Sequence, residues 1–322
     1  MSATLAPERI LKEMADIWAQ LAKPAGEETS SGVLRSCTMT LVVVAQEGDD
    51  AMSLGETIAA LMPEHPARTI IVWPKKGEPL SAKVTAQCWM PFGQRRQICC
   101  EQIEITAPDG SLPDVASVIS PISAPDLPLL VWCRCRRTFA EPGFEQLADI
   151  AQKVVVDSGA WPDAKAAIAS LAAKAAQGMI LGDLSWTQLT RWREMLSQLF
   201  ENAAYTARLP KISRVNVRFK AGSGEVMARY MAAWVKNSLE AASYRVDVRV
   251  EPGAEEVAVE LSGAGFGVEL ARQDGRLITT VDGLSQCTNL PKPTDYSLLR
   301  EELGIMRHDE IFERALASSA QS

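Results

Sequence analysis

The sequence predicts an α/β fold: a mixed, mainly parallel sheet flanked by helices, followed by a second, smaller α+β domain. Three observations carry this. The runs at residues 127–133 (LPLLVWC) and 154–156 (VVV) are too short for helices and rich in residues that suit a pleat. Between them Phe144, Leu147, Ala148 and Ile150 recur at helical spacing after the Pro142-Gly143 break, which makes a strand, helix, strand crossover. Strands apolar at nearly every position are buried on both faces, as in a parallel sheet with helices on each side. The same grammar occurs earlier, in residues 34–73, whereas beyond residue 180 helices give way to a series of short alternating strands.

The elements follow in order. Leu5, Ile10, Leu11, Met14, Ile17, Trp18 and Leu21 mark an amphipathic helix that ends before Lys23-Pro24-Ala25-Gly26, with a polar link through Gly32, so residues 1–32 form a helix and linker. Residues 34–45, with their LVVVA core, form a buried strand. Asp49-Asp50 start a helix over 51–61 that Met62-Pro63 stops, and a strand over 68–73 follows His65-Pro66. Residues 80–90 and 95–106 are strands joined by Pro91-Phe92-Gly93-Gln94, a hairpin turn by composition, which makes the sheet mixed. Alternation slips between Cys100 and Ile103, as a bulge or an edge would give. A short helix over 112–119 precedes the crossover. Asp157-Ser158-Gly159 then closes the strand at its carboxyl end, where open α/β sheets present functional loops.

Pro162 suits the first position of an alanine-rich helix over 163–176, which Gln177-Gly178 ends. Leu181-Gly182-Asp183 is the expected boundary between a sheet domain, 33–180, and a C-terminal domain, 181–322. Asp183 or Ser185 can cap a helix over 186–200 that carries Leu189, Trp192, Met195, Leu196, Leu199 and Phe200 on one broad face. A strand over 212–219, a helix over 225–241, four strands (244–250, 257–261, 267–271, 277–281) and two helices (295–303, 309–316) complete the chain.

Composition narrows the function. The chain has 322 residues, about twice a typical domain, and a net charge of −7, which argues against a generic nucleic-acid binder. No window is long and apolar enough for a membrane span, and the acidic N-terminal stretch is unlike a signal peptide, so a cytoplasmic protein is expected, without membrane or nucleic-acid partners. Seven cysteines without framework spacing favour buried free thiols, and two histidines with no CxxC pair argue against zinc. Basic spots at Arg134, Arg136 and Arg137, and at Lys211, Arg214, Arg218 and Lys220, read as charge guarding strand ends and edges.

The sequence lacks GxGxxG after the first strand, GxxxxGK[ST], GxSxG and HExxH, the markers of dinucleotide, phosphate-loop, nucleophile-elbow and zinc-protease chemistry. No cofactor is expected. Two turns that precede helices, Asp157-Ser158-Gly159 and Ala221-Gly222-Ser223-Gly224, could hold an anion on helix amides, although ordinary turn and cap chemistry accounts for both. Eight tryptophans, with Trp73, Trp89, Trp132 and Trp161 at strand ends, supply either core or anchors for a partner.

The runs HPARTIIV (65–72), QICCEQI (97–103), PDLPLLVW (125–132), VVVDSGAW (154–161) and GDLSWTQLTRWRE (182–194) come in the order and at the spacing of the glucose-6-phosphate dehydrogenase assembly protein family, OpcA, which the chain resembles from about residue 35 to 239. Members often carry two tryptophans where this chain has Trp132-Cys133. The resemblance implies a non-catalytic assembly factor and allosteric activator that binds the dehydrogenase at the oxidative entry to the pentose phosphate pathway. No catalytic residue is carried over from the family. Residues expected to contact a partner or an anion are His65, Arg68, Trp132, Asp157, Ser158 and Trp161. The alternative is a sugar-phosphate isomerase or lactonase working through Asp157, Ser158 and His65. A redox switch at Cys133 with Cys135, or Cys99 with Cys100, could be layered on the first reading.

Overall fold

The computed structural model describes residues 5–22, 33–90, 97–108, 110–254 and 256–321. The expected hairpin turn at Pro91-Phe92-Gly93-Gln94, the helix stop at Lys23-Pro24-Ala25-Gly26 and the link through Gly32 lie outside these residues. Contacts divide the chain into two compact units, Met1–Val156 and Asp157–Ser322. Residues 157–180, expected to close the first domain, fall in the second, because the alanine-rich helix packs on two later helices of that unit.

The first unit comprises α1 (Pro7–Leu21), β1 (Val33–Arg35), β2 (Met39–Val44), α2 (Ala51–Leu61), β3 (Ala67–Pro74), β4 (Ser81–Trp89), β5 (Gln97–Ala107), α3 (Leu112–Ile122), β6 (Leu129–Cys133), α4 (Arg136–Phe139), α5 (Phe144–Asp149) and β7 (Lys153–Val156). Its strands run in the order β1-β5-β3-β2-β6-β7, all neighbours parallel, with β4 antiparallel on β5. Every residue of β2, β6 and β7 is buried, which is why these runs, Thr40 and Lys153 apart, are apolar without alternation.

The single strand expected over 34–45 is two. At the polar break Ser36-Cys37-Thr38 the chain changes partner: Ser36 N donates to Cys99 O on β5, and Thr38 N to Pro66 O just before β3. The expected bulge in β5 is absent, since pairing with β4 runs unbroken from Ser81↔Thr106 to Trp89↔Ile98. The alternation slips because Glu101 and Gln102 are polar yet buried. One thiol expectation is corrected. Cys88 and Cys99 face each other across the β4–β5 register and form a disulfide, leaving Cys37, Cys100, Cys133, Cys135 and Cys287 free.

The second unit begins with a 3₁₀ turn at Ser158–Ala160 and continues through α6 (Ala164–Ala176), β8 (Leu181–Asp183), α7 (Leu184–Thr187), α8 (Thr190–Leu199), α9 (Ala203–Thr206), β9 (Arg214–Lys220), α10 (Glu225–Ala241), β10 (Asp247–Gly253), β11 (Val257–Gly263), β12 (Phe266–Gln273), β13 (Arg276–Val281), β14 (Leu284–Asn289), α11 (Asp295–Leu303) and α12 (Glu310–Ser319). Its sheet runs β10-β9-β11-β12-β13-β14, parallel at β10–β9 and antiparallel elsewhere. Val215, Val217 and Phe219 of β9 are buried, and α10 packs against β9, β10 and β11. Asp163, whose carboxylate accepts from Ala166 N, caps α6, so Pro162 stands one place before the cap. The helix expected over 186–200 is two, α7 and α8, with Asp183 capping the first. β14 was not expected: Leu-Ser-Gln-Cys-Thr-Asn has no apolar alternation, and all six of its residues are exposed.

Candidate functional site

In the first unit β3 lies on one side of β2 and β6 on the other, so the sequential order reverses at β2. The crevice beyond the carboxyl ends of such strands is where open α/β sheets take ligands. Here it is closed by charge. Arg134, immediately after β6, donates from Nε to Asp49 Oδ2 at 2.7 Å and from Nη2 to Asp49 Oδ1 at 2.9 Å. Its guanidinium lies 4.6 Å from the Trp132 ring centroid. Asp49 also accepts from Gln46 N at 3.0 Å, and Asp50 caps α2 by accepting from Ser53 N at 2.8 Å. Partial burial pushes the Asp49 carboxyl up, but the hydrogen bonds and charge of Arg134 prevail and hold it below its usual range. Two carboxylates thus occupy backbone amides that a phosphate would need, and a pyrophosphate placed here would be repelled.

A second polar cluster lies in the second unit. Asp183 is fully buried at the start of α7. Its Oδ1 accepts from Ser158 N at 3.1 Å and Ser185 N at 2.9 Å; its Oδ2 accepts from Tyr230 OH on α10 at 2.8 Å and from Ser158 Oγ. Ser185 Oγ donates to Asp157 Oδ1 at 2.7 Å and accepts from Gly159 N at 2.8 Å. A Cβ at Gly159 would stand 2.5 Å from Ser185 Oγ and would displace that hydroxyl from its bonds to Asp157 and Gly159 N. Thr187 Oγ1 donates to Glu302 Oε2 of α11 at 2.6 Å, and Trp186 Nε1 to Asp309 Oδ2 at 3.1 Å. Arg193 lies 3.6 Å from the Trp186 ring centroid, and burial lowers its pKa. Burial, then the neighbouring charge of Asp157, raises the Asp183 pKa to about 7. Burial also raises Tyr230 well above its ordinary value.

This cluster holds chain together more readily than it holds a ligand. The Ser158 and Gly159 amides already serve Asp183 and Ser185, and Ser158 itself has no exposure. The second glycine turn is likewise occupied: Gly224, at φ +81°, sits where a Cβ would stand 2.5 Å from Glu256 O.

Among the other expected contacts, Arg68 is buried at the start of β3, where Nη1 donates to Ile122 O at 2.6 Å and Nη2 lies 3.6 Å from Glu101 Oε1. His65 is half-buried in the turn before β3, its amide donating to Leu61 O. Trp132 and Trp161 are buried, and Trp73 and Trp89 are half-buried, so none of the strand-end tryptophans is an exposed anchor. Sequence reasoning missed Asp183, Ser185 and Tyr230 as one cluster, although Asp183 and Ser185 were legible as cap candidates. Among the described residues no cluster of histidine, cysteine and carboxylates could hold a metal, and no helix is long and apolar enough to cross a membrane.

Residues 58–173 match the profile of the glucose-6-phosphate dehydrogenase subunit N-terminal domain, and residues 179–316 that of the C-terminal domain of the same subunit. The chain belongs to the OpcA family. Its relatives include proteins named as OxPP cycle protein OpcA, from Nostoc punctiforme, 25% identical over 55% of this chain and 38% of that protein, and from Synechocystis sp., 23% identical over 65% and 43%. The chain spans less than half the length of these OpcA relatives. Solved structures similar to this OpcA chain include KijD10, a 3-ketoreductase from Actinomadura kijaniata, with TM-score 0.48, 10% identity and coverage of 90% and 95% of the two chains. Gal80p from Saccharomyces cerevisiae gives TM-score 0.46, 8% identity and coverage of 85% and 84%. Neither likeness bears on what this chain does.

Proposed function

We propose that this chain is a cytoplasmic, non-catalytic partner of glucose-6-phosphate dehydrogenase that promotes assembly of the active oligomer and raises its activity in the oxidative pentose phosphate pathway. The observation that carries the reading is the pair of dehydrogenase-subunit profiles matched in series over residues 58–173 and 179–316. Local geometry supports it. The strand-order switch point is occupied by the Asp49–Arg134 pair, and the Ser158–Asp183 hydroxyl–carboxylate pair is sealed from solvent, so a sugar phosphate cannot reach it in this conformation.

The test mixes the purified chain with its cognate dehydrogenase. The expected result is a co-eluting complex with higher turnover or tighter substrate binding than the dehydrogenase alone. Absence of association at micromolar concentrations rejects the reading. Conversion of hexose or pentose phosphates by the chain alone, abolished by Asp157→Asn, would instead establish the isomerase or lactonase alternative.

A further inference from the structure

The sheet of the second unit has two edges, and they are treated differently. β10, at one end, carries Asp247, Arg249 and Glu251 and closes on Pro252, charges and a proline of the kind that discourage pairing with another chain. β14, at the other end, reads Leu-Ser-Gln-Cys-Thr-Asn, with no charge, no proline and no bulge in its register with β13. All six residues are exposed, and Leu284, at 79%, is the most exposed large apolar side chain among the described residues.

Half of the β14 backbone is unused. The strand pairs with β13 alone. Just past its end Leu290 N donates to Gly275 O at 2.8 Å, and alternate residues of an antiparallel strand face the same neighbour, so Thr288, Gln286 and Leu284 also turn their backbone groups to β13. Ser285, Cys287 and Asn289 turn theirs outward, where no strand among the described residues meets them.

A second copy related by a twofold axis supplies the complement. Among twofold registers, the one centred on Cys287 uses all the outward residues: Cys287 faces itself and Ser285 faces the second copy's Asn289, each pair exchanging two hydrogen bonds. That register lays Leu284 against the second copy's Leu290. It also brings Lys292 to the end where the second copy has Asp282, a carboxylate that already holds Arg208, and opposes no like charges within the strands, which have none. We propose that the chain forms a homodimer by antiparallel β14–β14 pairing, which joins two six-stranded sheets into one. A strand of six residues is about 20 Å long, small for an interface, so dissociation in the micromolar range is expected.

Sedimentation velocity of the full chain alone, from about 1 to about 200 μM, tests this. The mass should rise with concentration from 35.0 kDa towards twice that. Cys287 is the exposed one of the free thiols and would lie about 5.5 Å from its counterpart between Cα atoms, so a short bis-maleimide should link two chains, and Cys287→Ser should abolish the link. The register is tested by two double variants. Ser285→Lys with Asn289→Lys opposes like charges across the pair, whereas Ser285→Lys with Asn289→Glu opposes unlike ones, and the second should dimerise about tenfold more tightly than the first. Both change exposed side chains, and circular dichroism checks the fold. A monomer throughout the range, no link through Cys287, or equal dimerisation of the two double variants overturns the proposal. So does a chain that is monomeric alone and whose Cys287 is shielded from maleimide only when the dehydrogenase is added, which would give this edge to the dehydrogenase. The measurements on the chain alone involve no dehydrogenase, so their failure leaves the assembly reading standing, and the reverse also holds.

Discussion

Asp183 shows how much one carboxylate can organise. Four donors converge on it from three stretches of chain, and their arrangement suits an ionised acceptor, while burial and Asp157 favour the proton. Asp183→Asn places an amide donor against those donors and should destabilise the protein by about 3 kcal/mol in urea unfolding. The pH dependence has a definite sign. The folded pKa, about 7, lies above the ordinary carboxylate value of 3.8, so the folded state holds the proton more tightly than the unfolded chain. Asp183 therefore contributes most stability in acid, losing it progressively as pH rises from about 4 to about 7. Melting temperature at pH 6 should exceed that at pH 8 by more in the parent than in Asp183→Asn. The sequence offers Asp183 only as a helix cap; that Tyr230, 47 positions on, would share the carboxylate is a product of packing.

Individual elements were legible where periodicity was strong. Residues 51–61 and 225–241 coincide with α2 and α10, because each has an apolar face and a stop signal. β14 was hidden, since a strand exposed on both faces needs no hydrophobic pattern. The Cys88–Cys99 pair was obscured for another reason. Cysteine spacing alone says nothing of register, and a turn at the expected Pro91-Phe92-Gly93-Gln94 would set 88 opposite 97, whereas the strands pair Cys88 with Cys99. That bridge closes an 11-residue separation in the β4–β5 hairpin, which should contribute about 2 to 3 kcal/mol. Adding reductant should lower the urea midpoint of the parent and leave that of Cys88→Ser unchanged. The thiols expected to act as switches are poorly suited to it: burial raises Cys100 to about 12, and burial raises Cys133 further still.

For the chain as a whole, fold class was readable from the repeated strand, helix, strand grammar, and family from five short runs in series. The docking surface was not readable, because the tryptophans that suggested one are buried or half-buried. An activator can shift a partner only through different affinities for its states. If the proposed activation is real, the complex with the dehydrogenase should tighten when glucose 6-phosphate or the nicotinamide cofactor is present, measurable as a lower dissociation constant in calorimetry. Equal affinity with and without them would confine this chain to assembly.

The pairing of Asp49 with Arg134 also says what it would take to turn this scaffold into a nucleotide enzyme. Inserting glycines after β2 would not suffice, because the obstacle is electrical rather than steric: Asp49 must go, Asp50 must release the Ser53 amide, and Arg134 must find another counter-ion. Removing Asp49 alone would take from part-buried Arg134 the carboxylate that meets it through two hydrogen bonds, so the first such step costs stability before any nucleotide can repay it.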